Sequence, residues 1–555
     1  MQLLNHPLLP LAALLLAASE LAAASFMLNE SDRARIESAL PAKAPAQPLK
    51  PRRLLIFTRN VGYGGHPSMA YANEAFTLMG RKTGAFETEV SDDPNVFQRS
   101  SLTNLDAVFF NNTVGNCFTN ADLRRNLVEF VLRGGGLLGV HGTTVAFMNW
   151  PGAIEDWPEF GFLIGARGAN HKDSDERVWL KLDDPESPLL QCFGGRGFEY
   201  ADEFFRPQGT YSRDRVRVLL TIDTTKTDPN KGQARGNCYR ADNDYAVAWI
   251  RSYGRGRVFY CTIAHNPYVF RDEKMLRFYL AAAQFALGDL ACPTTPSARV
   301  SPAVRAQEKL GWRLALESGP PPSASLSALA RRAVDLGLPY AGASSAQPVG
   351  GDLTKPFDPR LTDADLERAR LACETPGVRM LTLAIAEPLD DEDAAARWFE
   401  FGCKTGVEVF ILNRLPRDLA PLEKLSAATG IRVAFQANDP AAASALAHAC
   451  AGRGRQIGVC LDLSRGAGSA WQPRPLIHAV RGRLFALRLP DPAAAPAGLT
   501  ETLLTEVQRA GDAPVFLIDS GRGAQVAHSI EFFNATALKL STRSAASNRP
   551  AALAR

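Results

Sequence analysis

The run Gly134-Gly-Gly-Leu-Leu-Gly-Val-His-Gly-Thr-Thr144 carries an apolar, strand-like stretch straight into a polar side chain flanked by small residues. This is the pattern of a strand-to-helix elbow, in which a tight turn lifts one side chain out of the end of a sheet. The residue at the apex is His141. Working outward, apolar runs of strand length lie at Leu54–Phe57, Ala107–Phe110, Val216–Leu220, Ala246–Trp249 and Val258–Cys261. Helical patterns fall between them at Ala70–Met79, Leu123–Leu132 and Lys274–Leu287. Strands alternating with helices predict an α/β domain with a parallel sheet, whose functional groups gather at the carboxyl ends of the strands.

The chain has 555 residues, too many for one ordinary domain, so two or three separate cores are expected. A balance of 62 basic and 58 acidic side chains leaves +4, with no run of like sign. Such a surface lacks the basic stripe of a nucleic-acid binder. Hydrophobic content of 46% beside 22% charged residues fits a globular chain. The apolar run Leu8–Ala18 is too short to span a bilayer and has the length of a signal-peptide core. Leu21-Ala-Ala-Ala-Ser25 offers a small-residue cleavage site, although no Lys or Arg precedes the run. Export, to a periplasm or to the outside, is therefore expected. Nine dispersed cysteines without a C-x-x-C pair read as buried thiols, not as a disulfide framework or a zinc site.

Domain limits follow from the prolines. After the signal-like segment 1–25, residues 26–52 form a linker ending in the proline-spaced stretch Pro41 to Pro51, and the first domain covers 53–290. A second linker, 291–308, carries Pro293, Pro296 and Pro302. Beyond it eight strand-like runs follow: Arg313–Leu316, Pro339–Gly342, Met380–Leu383, Val407–Leu412, Arg432–Phe435, Ile457–Leu461, Leu484–Leu487 and Val515–Ile518. Helical patterns separate most of them, which predicts a (β/α)8 barrel over 309–535. Residues 536–555 are expected to be a flexible tail.

Four of the eight histidines fall in the first domain, each after a glycine-bearing loop: His66, His141, His171 and His265. His265 follows the strand run Val258–Cys261, which puts it on the same sheet edge as His141. Two imidazoles meeting there could serve as acid and base or hold a metal. The pair Asp202-Glu203 sits among aromatics in Phe198-Glu-Tyr-Ala-Asp-Glu-Phe-Phe205, where acids are costly unless hydrogen-bonded or used. Tyr63, Thr143, Arg240, Asp242 and Asp244 complete the set of candidate substrate contacts, with solvated acids on an edge strand as the competing reading of Asp242 and Asp244.

Residues 53 to about 290 resemble the trehalose-utilisation (ThuA-like) family. The resemblance rests on Leu54-Leu-Ile-Phe-Thr58, Gly62-Tyr-Gly-Gly-His66, the elbow run ending in His141-Gly142, Gly168-Ala-Asn-His171, Asp202-Glu203, Tyr253 to Tyr260 and His265-Asn266. It implies a flavodoxin-like, class I glutamine amidotransferase-like fold. In that fold the elbow carries a cysteine nucleophile. Here His141 takes its place, which removes thiolate chemistry and with it glutamine hydrolysis.

The resemblance implies handling of sugars, in particular 3-keto glucosides and disaccharides, by a lyase, hydratase or hydrolase. His141, His265 and Glu203 are the candidates for base and acid. His66, His171 and Asp202 are expected to bind substrate, and a divalent metal is a candidate cofactor of the histidines. The alternatives are a carbohydrate-binding protein without turnover and a metal-dependent sugar epimerase in the second domain.

That second domain resembles the xylose-isomerase-like sugar-phosphate isomerase/epimerase barrels, on Ile457 to Asp462 and Gly482 to Asp491. It keeps Asp462 but has Arg488 where the family has a histidine, and Ser464-Arg465 where another histidine-bearing turn is expected. Gln436, Asn438 and Asp519 stand at other strand ends. A guanidinium among the ligand positions opposes a divalent ion, so the barrel is expected to be degenerate.

Overall fold

The computed structural model describes residues 28–547 except 150–155, 233, 235, 320, 321, 323, 465–470 and 522. The signal-like segment 1–25 and Arg465 lie outside the described residues. The first domain contains β1 (Arg53–Phe57), β2 (Glu87–Ser91), β3 (Ala107–Asn111), β4 (Gly136–Val140), β5 (Arg167–Asn170) and β6 (Glu176–Leu182). It continues with β7 (Phe198–Asp202), β8 (Arg206–Gln208), β9 (Arg217–Ile222), β10 (Ala246–Tyr253) and β11 (Gly256–Cys261). Nine of these form one sheet in the order β2-β1-β3-β4-β11-β10-β9-β6-β7, while β5 and β8 pair separately.

From β2 to β11 the sheet is parallel. Beyond β11 each neighbour runs antiparallel, an extension on the edge of the expected parallel sheet. The reason is local: only Gly254 and Arg255 separate β10 from β11, a two-residue hairpin that cannot make a parallel crossover. Gly254 supplies the positive φ of +55° that the turn needs.

β4 is buried at all five positions, as expected of a strand covered on both faces. Leu54, Ile56, Phe109 and Leu138 face the helices Ser68–Thr83 and Glu273–Leu287; Leu55, Phe57, Val108, Phe110 and Leu137 face Ala121–Leu132 and Pro158–Ile164. The period-two alternation within each strand builds both core layers.

The N-terminal linker is a docked strap. Glu30–Ala39 forms a helix capped by the Asn29 side chain, with Ile36 buried. Farther on, the Ala46 and Leu49 amides donate to Gln284 Oε1 and Asp289 Oδ1. The prolines exclude regular structure there, and these side-chain acceptors satisfy the backbone instead.

The second domain is a closed barrel of eight parallel strands, Arg313–Glu317, Tyr340–Ser344, Arg379–Ile385, Val409–Leu412, Arg432–Ala437, Ile457–Asp462, Leu484–Arg488 and Val515–Asp519. Every strand-like run of the sequence is there. Two flanks differ from expectation. Pro302–Leu310, in the second linker, is a helix that packs on the C-terminal helix Gly523–Ser547. Thr536, Ala537 and Leu540 of that helix are buried, so the expected tail begins as packed helix; 548–555 lie outside the described residues. All nine cysteines are free thiols.

The domains are joined by more than the connecting segment. Arg370 pairs with Glu159 at 2.7 Å, Arg251 pairs with Glu374, and Gly406 approaches Gly254 so closely that a Cβ there would lie 2.5 Å from its Cα.

Candidate functional site

The site grows from the carboxyl edge of β3, β4 and β11. β4 and β11 are in register, Val140 opposite Cys261, so the residues that follow them emerge side by side. His141 comes directly after β4 with φ +40°, a conformation a non-glycine residue rarely holds. Its carbonyl accepts from Tyr260 Oη at 2.8 Å, and the Thr143 hydroxyl folds back onto the carbonyls of Phe110 and Val140. Thr143 thus braces the elbow from inside the sheet. Gly142 is needed for close approach: a Cβ there would lie 3.1 Å from the Asn112 carbonyl oxygen and 3.2 Å from His66 Cε1.

Asn112, also at positive φ, joins three loops. Its Oδ1 accepts from Gly142 N at 2.9 Å, and its Nδ2 donates to Ser68 Oγ and to the Ala264 carbonyl. One side chain therefore ties the elbow to the segments that carry His66 and His265. Asp202 performs a similar task, accepting from the backbone amides of His265 and Asn266 and from Asn266 Nδ2. It is fully buried, so it clamps the His265 loop and does not face a ligand. Burial pushes its carboxyl up to about 7 against those hydrogen bonds.

Around this frame the four histidines and Glu203 converge. His141 Nε2 lies 3.3 Å from Glu203 Oε1 and 3.3 Å from His265 Nδ1, and His265 Nδ1 is 3.5 Å from Glu203 Oε1. His171 Nδ1 is 3.1 Å from Glu203 Oε2 and 2.6 Å from the Lys172 carbonyl. His66 stacks edge-on against both His141 and His265, with ring centroids 4.9 and 5.2 Å away. Phe205 packs on His141 at 3.9 Å and on His171 at 5.6 Å. Tyr63, exposed at the mouth, lies 4.9 Å from the His66 ring.

Protonation follows from burial. His66 is pushed down to about 2 by desolvation and by its imidazole neighbours, and His265 to about 4 for the same two reasons. Burial also lowers His141, although Glu203 opposes the shift. Glu203 itself lies below its usual range: burial raises it, but the His141 ring against it and the surrounding histidines prevail. His141 Nδ1 faces the Thr262 carbonyl at 3.0 Å and so carries the ring proton. Its Nε2 is then a lone pair directed at an ionised carboxylate, acceptor against acceptor.

A divalent cation between them would resolve that conflict. One ligand atom from each of His66, His141 and His265 lies within 4.8 Å of the other two. Separations of 3.3–3.5 Å among His141, His265 and Glu203 match the edges of a tetrahedron with metal–ligand bonds of about 2.1 Å. The Thr262 carbonyl is the outer partner that fixes such a histidine's tautomer. His66 Nδ1 is buried with no hydrogen-bond partner, a further sign of a donor set suited to a divalent ion.

Arg240, Asp242 and Asp244 do not join this cluster. Arg240 Nε bonds Asp242 Oδ1 at 3.0 Å, while Asp244 accepts from Tyr211 Oη at 2.7 Å and from Arg213. Spacing along the chain cannot separate such an internal ion-pair network from a binding wall. Asn112 and Thr262 lie outside the candidates read from sequence, the double asparagine after an apolar strand being the signal for the first, whereas Phe205 belongs to the aromatic run around Glu203.

At the carboxyl end of the barrel Arg488 sits among the acids. Its Nε donates to Glu317 Oε1 at 2.6 Å and its Nη1 to Gln436 Oε1 at 2.6 Å, with Asp462 Oδ2 at 3.4 Å. The guanidinium is the counter-ion there. Asp519 caps the backbone amides of Gly319 and Gly521.

The family model for ThuA, described as trehalose utilisation, matches residues 53–286. A solved ThuA-like protein from Bacteroides uniformis shares 18% identity, covering 44% of this chain and 94% of its own, with a TM-score of 0.34. A xylose isomerase domain protein from Planctomyces limnophilus shares 12%, covering 42% and 98%, at 0.33. The 3-keto-D-glucoside 4-epimerase YcjR from E. coli shares 12%, covering 42% and 99%, at 0.30. No curated protein matches the sequence. Among the described residues no helix is long and apolar enough to cross a membrane. Residues 53–286 of this chain, the first domain, match the family model for ThuA, described as trehalose utilisation.

Proposed function

We propose that the ThuA domain cleaves keto-glucosides or keto-disaccharides by elimination and hydration at the histidine–Glu203 cluster. The observation that carries this reading is the convergence of four imidazoles and one carboxylate, from separate loops, on one sheet edge. A keto group acidifies the adjacent C–H. The base removes that proton, its electron pair forms a carbon–carbon double bond, and the glycosidic C–O bond breaks as the leaving oxygen takes up a proton. Water then adds across the double bond.

His171 fits the base. Its Nδ1–H is shared between the Lys172 carbonyl and Glu203, which leaves Nε2 unprotonated, and its side chain is 18% exposed. Glu203 orients it and stabilises the imidazolium that forms, the logic of a base held by a third group. His66, His141 and His265 would hold a divalent ion, with Glu203 beside them. When bound, that ion supplies a Lewis acid for the keto oxygen. Tyr63 at the mouth offers a ring face to the apolar side of a sugar.

Export is part of the same proposal and rests on the Leu8–Ala18 run. The test incubates the purified, metal-loaded chain with oxidised and ordinary disaccharides and follows products by mass spectrometry. Cleavage of the oxidised sugar alone is expected. No turnover of either, with saturable sugar binding, would favour a carbohydrate-binding protein.

A further inference from the structure

Where the connecting segment crosses the base of the barrel, a cavity of about 690 Å³ opens. Its wall includes Arg299 of the connecting segment, Trp312 and Arg313 at the first barrel strand, Tyr340 at the second and Arg379 at the third. The volume falls within the range of small-molecule sites, about 300–1,000 Å³. A smaller cavity shares Tyr340 and Arg379 and reaches Arg215 and Arg251 of the first domain.

Charge at this wall is unbalanced. Glu408, just behind it, pairs with Arg313 at 2.6 Å, with Arg379, and with Arg432 at 3.6 Å. Three guanidiniums share one carboxylate. Burial would raise Glu408, yet the three arginines hold it well below the usual carboxylate range. The nearby acids are already engaged: Asp214 pairs with Arg299, Glu308 with Arg217, and Glu374 with Arg251. Arg379 Nε is buried with no acceptor. So is Arg255 Nε, whose guanidinium otherwise meets the Thr429 carbonyl and the Cys403 thiol. Uncompensated buried cations are costly, and a guanidinium is shaped for an oxyanion.

We propose that this cavity binds a small organic anion, its phosphate or carboxylate head held by Arg299, Arg313 and Arg379 and its body lying along Trp312 and Tyr340. The site lies at the amino ends of the barrel strands, opposite Glu317 and Asp462, and belongs to neither sheet edge discussed above. Because the wall combines the connecting segment with the barrel, occupancy fixes the junction of the two domains.

Calorimetric titration of the full chain with inorganic phosphate, glucose 6-phosphate, glucuronate and uncharged glucose tests this. At least one charged probe is expected to bind saturably at one site per chain, and glucose is not; which head group binds separates phosphate from carboxylate. R379Q leaves Glu408 paired with Arg313 and Arg432, and it should weaken binding at least tenfold. R299Q should do the same if R379Q fails to fold. H141A should leave the affinity unchanged. The proposal is overturned if no charged probe binds, if both arginine variants bind as tightly as wild type, or if H141A abolishes binding.

Discussion

His141 Nε2 faces Glu203 Oε1 across 3.3 Å, while the other nitrogen of the same ring is fixed by the Thr262 carbonyl at 3.0 Å. Two acceptors held this close require a proton or a cation between them, and burial disfavours the imidazolium. Glu203→Gln keeps the shape and removes the charge. It should weaken divalent-ion binding by more than the roughly tenfold to hundredfold typical of losing an outer-shell partner. Titration of Zn²⁺ or Mn²⁺ into metal-stripped wild type and variant measures this; equal affinities would refute the role of Glu203.

Metal removal should destabilise the chain. An ion that binds only the folded state, present at a hundred times its Kd, adds about 2.7 kcal/mol. Thermal unfolding of chelator-treated protein should therefore begin a few degrees lower and recover when the ion is restored. Asp462→Asn should leave the metal content unchanged, since Arg488 already neutralises the barrel acids. A loss of bound metal in that variant would move the metal site to the barrel.

Asn112→Ala should damage the site at a distance from any substrate. It leaves the Gly142 amide unpaired in a buried setting, at a cost of about 1–3 kcal/mol, while the Ala264 carbonyl keeps the Ser68 hydroxyl. Metal affinity should fall in the same variant, because the loops carrying His66, His141 and His265 lose their common tie. A variant that loses stability but keeps full metal affinity would show that Asn112 supports the fold alone.

At the domain junction, Glu374→Leu strands the buried Arg251, and breaking such a pair typically costs about 3–5 kcal/mol. Calorimetry should show the main unfolding transition shifted down. An unchanged transition would mean that the junction contributes little to stability.

Much of this was legible in sequence, for physical reasons. The eight barrel strands and β1, β3, β4 and β11 are buried on both faces, so they appear as continuous apolar runs. β2, Glu87-Thr-Glu-Val-Ser91, is an edge strand with no buried position, and it left no such mark. The four histidines could be found because His66 and His171 follow glycine-bearing segments while His141 and His265 follow apolar strand runs. Their meeting with Glu203 could not be measured from sequence, since it depends on β7 returning beside β6 at the far edge of the sheet. Asp202 looked like a ligand-facing acid, yet its oxygens serve the backbone of His265 and Asn266. The contribution of Thr262 is a main-chain carbonyl, which no side-chain pattern encodes.

The central claim is that the cluster around His141 performs chemistry on a keto-sugar. The most direct measurement is the rate at which the metal-loaded chain consumes a 3-keto-disaccharide, compared between wild type and His141→Ala, with circular dichroism confirming that the variant is folded. A loss of at least about a hundredfold is expected, the scale of removing a group aimed at developing charge. Full activity in the folded variant would contradict the account.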